Sequence, residues 1–216
     1  MSAVIFDFDG LILDTETPEY DEWKAIFEAS GHAMDDDWWF QLLGSGPLGG
    51  IEQPAARWTR LTGKPADEIH AKARTNIVRR INQAGAMPGI ESLIRSLHHD
   101  RRPIAIASSS KHDWVDGYLD LLGLRQFFPV VCCADDVRQA KPWPDLYLLA
   151  CSHLGIEPSK AIALEDSVNG ITAAKRAGLR VFAIPNPLTA RLDLTLADSV
   201  FESASAMELR KALNLL

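Results

Sequence analysis

From residue 86 onward the chain alternates short apolar runs with stretches of helical spacing, and this alternation limits the fold more than any other feature. The runs occupy 104–107, 130–133, 161–164 and 181–184, and Ala3-Val4-Ile5-Phe6 forms another near the N-terminus. Such runs have the look of strands buried on both faces of a parallel sheet. Between them, Ile90, Leu93, Ile94 and Leu97 fit one face of a helix, as do Val115, Leu119 and Leu122 before Gly123. Pro144 opens a helix that closes near Gly155, and another spans about 167–178. Strands joined through helices imply βαβ units, an open parallel α/β sheet and right-handed crossovers.

Residues 15–83 interrupt the alternation. Thr17-Pro18 suits a helix start, and Tyr20, Trp23 and Phe27 share a face that stops at Gly31. Ile69, Ala73, Ile77 and Ile81 recur every fourth residue, marking a long helix. No strand-like run lies among them. The expectation is a helical insert at 15–84, with 1–14 and 85–216 forming the α/β core. Thr15-Glu16 and 84–88 would be the two linkers and hinges.

A chain of 216 residues is long enough for such a core and its insert. Its 22 basic against 29 acidic residues leave a formal charge of −7, which argues against nucleic acid or a polybasic membrane surface as partner. Cys132, Cys133 and Cys151 are too few, and odd in number, for a disulfide framework, and they suit a reducing compartment. Asp7 and Asp9 break the N-terminal apolar run where a signal peptide would need continuity, and no run approaches a membrane span. A cytoplasmic location is expected, with neither membrane nor nucleic-acid partner.

The residues able to do chemistry follow the apolar runs. Asp7-Phe8-Asp9-Gly10 follows the first. In an extended chain, side chains two apart point the same way, so both carboxylates would project into the crevice where open α/β sheets bind ligands. One carboxylate can attack while its neighbour acts as general acid and base. Taken alone, the tetrapeptide reads equally well as a polar strand end turning at glycine. Ser108-Ser109-Ser110 follows the second run, and hydroxyls and free N–H groups at a helix start suit an oxyanion or merely a helix cap. Lys141-Pro142 precedes the Pro144 helix, where a fixed ammonium could bridge a nucleophile and a phosphoryl oxygen or simply be solvated. Glu165-Asp166-Ser167 follows the run at 161–164 and offers hard oxygen ligands for Mg²⁺, or again a helix cap. Four such features, each after a successive strand, make coincidence a poor account. His98, His99 and Cys132-Cys133 show no metal-ligand spacing, and His112 reads either as a substrate contact near Ser110 or, more often for a helix-start histidine, as a solvated side chain.

With these residues in this order, the chain resembles the haloacid dehalogenase-like hydrolase superfamily, whose fold is a Rossmann-like parallel sheet. The stretch Phe6-Asp7-Phe8-Asp9-Gly10-Leu11-Ile12-Leu13-Asp14-Thr15-Glu16 is similar to the subgroup of phosphoglycolate phosphatases, sugar phosphatases and β-phosphoglucomutases, which carry a helical cap where the insert falls. The resemblance implies that Asp7 is the nucleophile forming an aspartyl-phosphate and that Asp9 is the general acid and base. It implies Mg²⁺ held by Asp7, the Asp9 carbonyl and Asp166, with Glu165 as a further ligand or its support. Ser108, Ser109 and Lys141 would bind the phosphoryl group. The charge balance is coherent, since two unit charges ~4 Å apart repel by about 4 kcal/mol at an effective dielectric of ~20, and a phosphate dianion among carboxylates needs cations.

Dehalogenases of the superfamily typically lack the second aspartate, so Asp9 favours phosphoryl transfer. Mutases usually carry a histidine near the cap entry and an arginine in the cap loop, whereas this chain has Glu19 and the neutral stretch Gly44-Ser45-Gly46-Pro47 at those places. A phosphatase for a sugar phosphate or phosphoglycolate-like monoester is therefore expected, with a β-phosphoglucomutase-like mutase as the alternative. Glu19, Gly44, Ser45, Gly46 and Trp143 are the candidate specificity residues. A receiver-like phospho-accepting module is the alternative from another class, although receivers need only ~120 residues and no helical insert. A monomer or weak homodimer is expected.

Overall fold

The computed structural model describes residues 2–43 and 51–215. Its strands are β1 (Ala3–Phe6), β2 (Ile104–Ala107), β3 (Val130–Cys132), β4 (Ala161–Glu165), β5 (Arg180–Ala183) and β6 (Ser199–Val200). They pair only in parallel, in the order β3-β2-β1-β4-β5-β6. Phe6 stands opposite Ile106 on one side and Leu164 on the other, so β4 outruns β1 by one residue, Glu165. This is the open, Rossmann-like α/β sheet expected from the alternation.

The helices are α1 (Glu16–Ala29), α2 (Asp36–Leu42), α3 (Pro54–Thr62), α4 (Asp67–Gln83), α5 (Ile90–His99), α6 (His112–Leu121), α7 (Asp145–Leu154), α8 (Val168–Arg176) and α9 (Met207–Ala212). The two-residue period of the strands divides the core. Val4, Phe6, Ile106 and Leu164 pack on one face with Leu93 and Leu97 of α5, Leu119 of α6 and Leu209 of α9. Ile5, Ala105, Ala163 and Val181 pack on the other with Leu146 and Tyr147 of α7 and Ile171 of α8. Alanines dominate the second face, which lets α7 and α8 approach the sheet closely. Each fully buried Leu, Ile or Phe contributes about 1.5–3 kcal/mol.

Between β1 and α5 lie α1 to α4, and no strand occurs there among the described residues. They bury an aromatic cluster of their own, with Tyr20, Trp23, Phe27, Trp38, Trp39 and Trp58, and Leu188 from beyond β5 joins it. Ile77 of α4 packs against both this cluster and the α5 face of the sheet.

Four strand ends differ from the sequence pattern by one residue: β3 stops at Cys132, β4 runs on to Glu165, and β5 spans Arg180–Ala183 instead of 181–184. Cys133 leaves the ladder after β3, and its sulfur accepts the backbone N–H of Asp136. The fifth strand begins at Arg180, whose exposed side chain hides it from an apolar pattern. The edge strand β6 is too short and too exposed to leave an apolar signal. No helix among the described residues is long and apolar enough to cross a membrane.

Candidate active site

The strand order reverses between β1 and β4, and the carboxyl ends of those strands bring Asp7 beside Glu165 and Asp166. The Asp7 N–H donates to Leu164 O at 2.9 Å, extending the ladder by one residue and fixing where its side chain emerges. Gly10 then turns the chain with φ +76°, and a Cβ there would press into Asp166 and to 2.8 Å from Asn186 Nδ2. Glycine is required on both counts.

Lys141 is buried and donates to Asp7 Oδ1 and, at 2.6 Å, to Glu165 Oε1. The Tyr147 hydroxyl donates to the same Oε1 at 2.5 Å. Glu165 Oε2 accepts from the N–H groups of Asp166 (3.2 Å) and Ser167 (3.4 Å) and from the Ser167 hydroxyl (3.3 Å). Both oxygens of Glu165 are thus supplied with donors by the chain itself.

Asp9 is held from the β2–α6 side. Its Oδ2 accepts from Ser110 Oγ at 2.7 Å and Ser108 Oγ at 3.4 Å, and its Oδ1 accepts from Trp114 Nε1 at 2.9 Å. The buried Ser108 hydroxyl also accepts the Ser110 N–H at 3.0 Å, which shapes the turn.

Asn186, just past β5, joins this edge. Its Oδ1 accepts from the N–H groups of Leu188 (2.9 Å) and Thr189 (3.0 Å), which leaves its amide NH₂ to donate to Asp166 Oδ2 (3.0 Å) and Glu16 Oε2 (2.8 Å). Glu16 therefore stands at the site rather than in a plain linker.

The charges are unbalanced. Burial, with Glu165 adding repulsion, pushes the Asp7 carboxyl up to about 7 despite Lys141. Burial pushes Glu16 up to about 8, against its hydrogen bond from Asn186. Burial first, then Glu16 and Asp7, hold Asp166 well above the usual carboxylate range. Burial works against the Lys141 ammonium, but Asp7 and Glu165 outweigh it and raise its pKa. Oxygens of Asp7, Glu165 and Asp166 all lie within 4.8 Å of one another. An all-oxygen donor set with excess negative charge fits a hard divalent cation such as Mg²⁺.

A cleft of about 470 Å³ opens over these groups. The sheet edge contributes Asp7, Asp9, Ser109, Lys141 and Asp166, while α1 and α4 contribute Glu19, Trp23, His70 and Arg74. Ser108 is buried and does not line the cleft itself; it reaches it through Asp9 and Ser110. Burial, followed by the nearby charge of Asp9, raises the pKa of Glu19, with Arg74 pulling the other way. Trp143 does not line the cleft: it is 48% exposed, and the Arg176 guanidinium sits 5.6 Å from its ring centroid. Gly44, Ser45 and Gly46 fall outside the described residues.

Sequence reasoning passed over Glu16, Arg74, Ser110 as a partner of Asp9, Trp114, Tyr147 and Asn186. The strand-end rule that found the other acids would have found Asn186, three residues beyond β5.

Charged side chains gathered at the switch point of such a sheet mark the place where open α/β proteins bind their ligands. A family model described as haloacid dehalogenase-like hydrolase matches residues 4–184, and the chain belongs to that family. It is 40% identical over 97% of its length to a Bacillus subtilis (strain 168) protein named "Putative phosphatase YhcW", covering 94% of that protein. It is 34% identical over 82% of its length to the fructose-1-phosphate phosphatase YqaB of Escherichia coli (strain K12), covering 93% of it. The crystal structure of a HAD family hydrolase from Deinococcus radiodurans R1, with bound phosphate and sodium, superposes with a TM-score of 0.79 at 26% identity, covering 100% of this chain and 97% of that one. The chain is thus a hydrolase of the haloacid dehalogenase-like fold, and the curated relatives support the phosphatase expectation.

Proposed function

We propose that this protein is a Mg²⁺-dependent phosphatase for a small phosphorylated metabolite of the sugar-phosphate class, with Asp7 transiently phosphorylated. The observation that carries this reading is the division of labour between two carboxylates on one strand end. Asp7 is tied to a buried ammonium, and Asp9 is tied only to neutral donors. The name of the fructose-1-phosphate phosphatase relative supports the substrate class.

In this reading an Asp7 carboxylate oxygen attacks phosphorus, and the bond from phosphorus to the ester oxygen breaks. Asp9 gives that oxygen its proton. Water then attacks the phosphorus, Asp9 takes the proton from the water, and inorganic phosphate leaves Asp7 as a free carboxylate. Ser110 and Trp114 aim Asp9 throughout. Lys141 keeps Asp7 placed and counters phosphoryl charge, and Ser109 faces the same oxygens. Asp7, Asp166 and the Asp9 carbonyl would hold Mg²⁺, which when bound neutralises phosphoryl charge. Glu165, with both oxygens filled by the chain, serves by anchoring Lys141.

Residues 15–84 act as a helical cap that hinges near Thr15 and at 84–88 to exclude water. Glu19 and Arg74 on that segment set the distal half of the substrate. Glu19 beside Arg74 offsets the one cation facing that half of the cleft among the described residues, which leaves less charge for a second phosphate and favours hydrolysis over the mutase reaction. The buried free thiols Cys132, Cys133 and Cys151 suit a cytoplasmic enzyme.

The test is phosphate release from a panel of phosphorylated sugars and phosphoglycolate with Mg²⁺, including a β-glucose 1-phosphate mutase assay. Multiple turnovers on a sugar monophosphate are expected. A single stoichiometric phosphorylation without turnover would instead establish the receiver-like alternative, and isomerised sugar phosphate without net phosphate release would establish the mutase.

A further inference from the structure

A second group of ligand-bearing side chains lies outside the catalytic cleft, where α6 begins and β3 ends. His112, Cys133 and Asp135 each present a ligand atom, and the three atoms lie within 4.8 Å of one another. None of the three lines the cleft. A residue separation of this size escapes every spacing rule, because the fold rather than a short motif brings α6 and the loop after β3 together.

The surroundings are those of a metal site. His112 Nδ1 lies 2.8 Å from Asp116 Oδ2, the carboxylate–imidazole pairing that orients a ligating histidine. Its Nε2 lies 2.8 Å from Asp136 Oδ2, which also accepts the Cys133 N–H at 2.8 Å. The His112 N–H donates to Asp135 Oδ1 at 3.2 Å. Cys133 is fully buried and its sulfur accepts the Asp136 N–H; burial and the carboxylates of Asp116, Asp135 and Asp136 push its thiol up, so an ion bound there would itself supply the charge that releases the proton. Asp135 is exposed and gives an ion a way in.

We propose that His112, Cys133 and Asp135 form a structural site for a divalent transition ion of the zinc class, which clamps the start of α6 to the loop after β3. Sulfur and imidazole donors select such an ion over Mg²⁺, whereas the all-oxygen group at Asp7 and Asp166 has the opposite preference. Tetrahedral bonds of about 2.0–2.3 Å put ligand atoms roughly 3.3–3.8 Å apart, so the donors need to close by only about 1 Å. Cys133 loses its thiol proton to solvent on binding, His112 binds as neutral imidazole, and its Nε2 contact with Asp136 gives way to the metal bond. No oxidation state changes. Asp136 or water fills the fourth position.

The clamp reaches the catalytic groups through short links. Ser110 and Trp114 flank His112 in sequence, and both donate to Asp9. The Ala134 N–H, one residue past Cys133, donates to Ser110 O at 2.9 Å. An ion at His112 and Cys133 therefore fastens the segment that aims Asp9.

The test is titration of the full chain with Co²⁺ alone, read by the near-ultraviolet sulfur-to-cobalt charge-transfer band. Cobalt at the oxygen-only group gives no such band, so the readout is independent of the proposed phosphatase chemistry. A band that saturates at one equivalent of sulfur-bound cobalt and is displaced by Zn²⁺ is expected. It should vanish in Cys133→Ser and persist in Cys132→Ser and Asp7→Asn. Because Cys133 is buried, His112→Gln at the more accessible ligand provides the second arm, with an expected loss in cobalt affinity of about tenfold or more. Absence of the band in the wild-type chain, its survival in Cys133→Ser, or unchanged affinity in His112→Gln would overturn the proposal.

Discussion

Gly170, in the first turn of α8, lies so close to Glu165 that a Cβ on it would occupy the space of the Glu165 carboxylate. Glu165 cannot swing aside without releasing Lys141 and Tyr147. The absence of a side chain at 170 is therefore part of how the lysine is held. Gly170→Ala is expected to destabilise the fold by about 1–3 kcal/mol through overpacking. It should also depress kcat more than the comparable change Gly117→Ala, because a Cβ at Gly117 meets open space. Thermal denaturation and steady-state kinetics of the two variants check this, and equal effects would remove Glu165 from the anchoring role.

Asp7→Asn keeps the shape of the side chain but removes the charge of the proposed nucleophile. Lys141 retains Glu165 as its partner, so the fold should survive. Turnover should fall below detection, and acid-quenched wild-type protein should carry a phosphoryl group on Asp7 that the variant lacks. Mass spectrometry of the quenched protein decides the matter. Retained turnover in Asp7→Asn would take position 7 out of the reaction.

Trp114 donates to Asp9 from a helix face that no sequence pattern reveals. Trp114→Phe keeps the ring's bulk and deletes the N–H. A lost hydrogen bond to a charged group is worth about 1.5–3 kcal/mol, so kcat should drop by roughly 10- to 100-fold with little change in KM. Ser110→Ala should act in the same direction. A rise in KM alone would mean that Trp114 contacts substrate instead of aiming Asp9.

These cases show what a sequence of this kind carries. The placing of Asp7, Asp9 and Asp166 in the cleft was legible because they come just past apolar strands at the edge where open sheets bind ligands, whereas Lys141 reaches them from a loop nine residues beyond β3. Strand ends are local, and a period of two fixes the direction of Asp7 and Asp9 together. Trp114 and Tyr147 were not legible, because each reaches its carboxylate from a helix whose rotation about its axis is set by packing. Glu16 lay in plain view beside the first motif, yet only Asn186, arriving from beyond β5, shows that it faces the site. Trp143 was suggested by its nearness in sequence to Lys141, but its ring turns outward to Arg176. Of the helices between β1 and α5, α1 and α4 were legible from their periodic apolar residues, whereas the short α2 and α3 were not. That the aromatic residues of these helices form a core of their own depends on helix–helix contacts that periodicity does not encode.

The buried carboxylates fix how stability should vary with pH when no divalent cation is bound. The folded chain raises Asp7 from 3.8 to about 7 and Glu16 from 4.5 to about 8, in both cases chiefly by burial. Between each pair of values the folded state binds more protons than the unfolded state, so stability falls as pH rises through that window. His112 works in the same sense. Burial opposes its charge, but Asp116 and Asp136 raise its pKa above 6.5, so the stability it contributes is present at low pH and lost as pH rises through its folded value. Melting temperature in EDTA should therefore decline from pH 5 to pH 8, with each buried carboxyl contributing a slope of up to about 1.4 kcal/mol per pH unit and the solvent-screened His112 much less. Glu16→Gln keeps an oxygen for Asn186 and removes one titration, so its decline should be shallower, with the two proteins converging near pH 5. Added Mg²⁺ should raise the melting temperature more at pH 8 than at pH 5, because the ion binds the ionised carboxyls. A melting temperature that rises across this range in EDTA, or a Glu16→Gln profile parallel to the wild type, would show that these carboxyls do not carry the strain assigned to them.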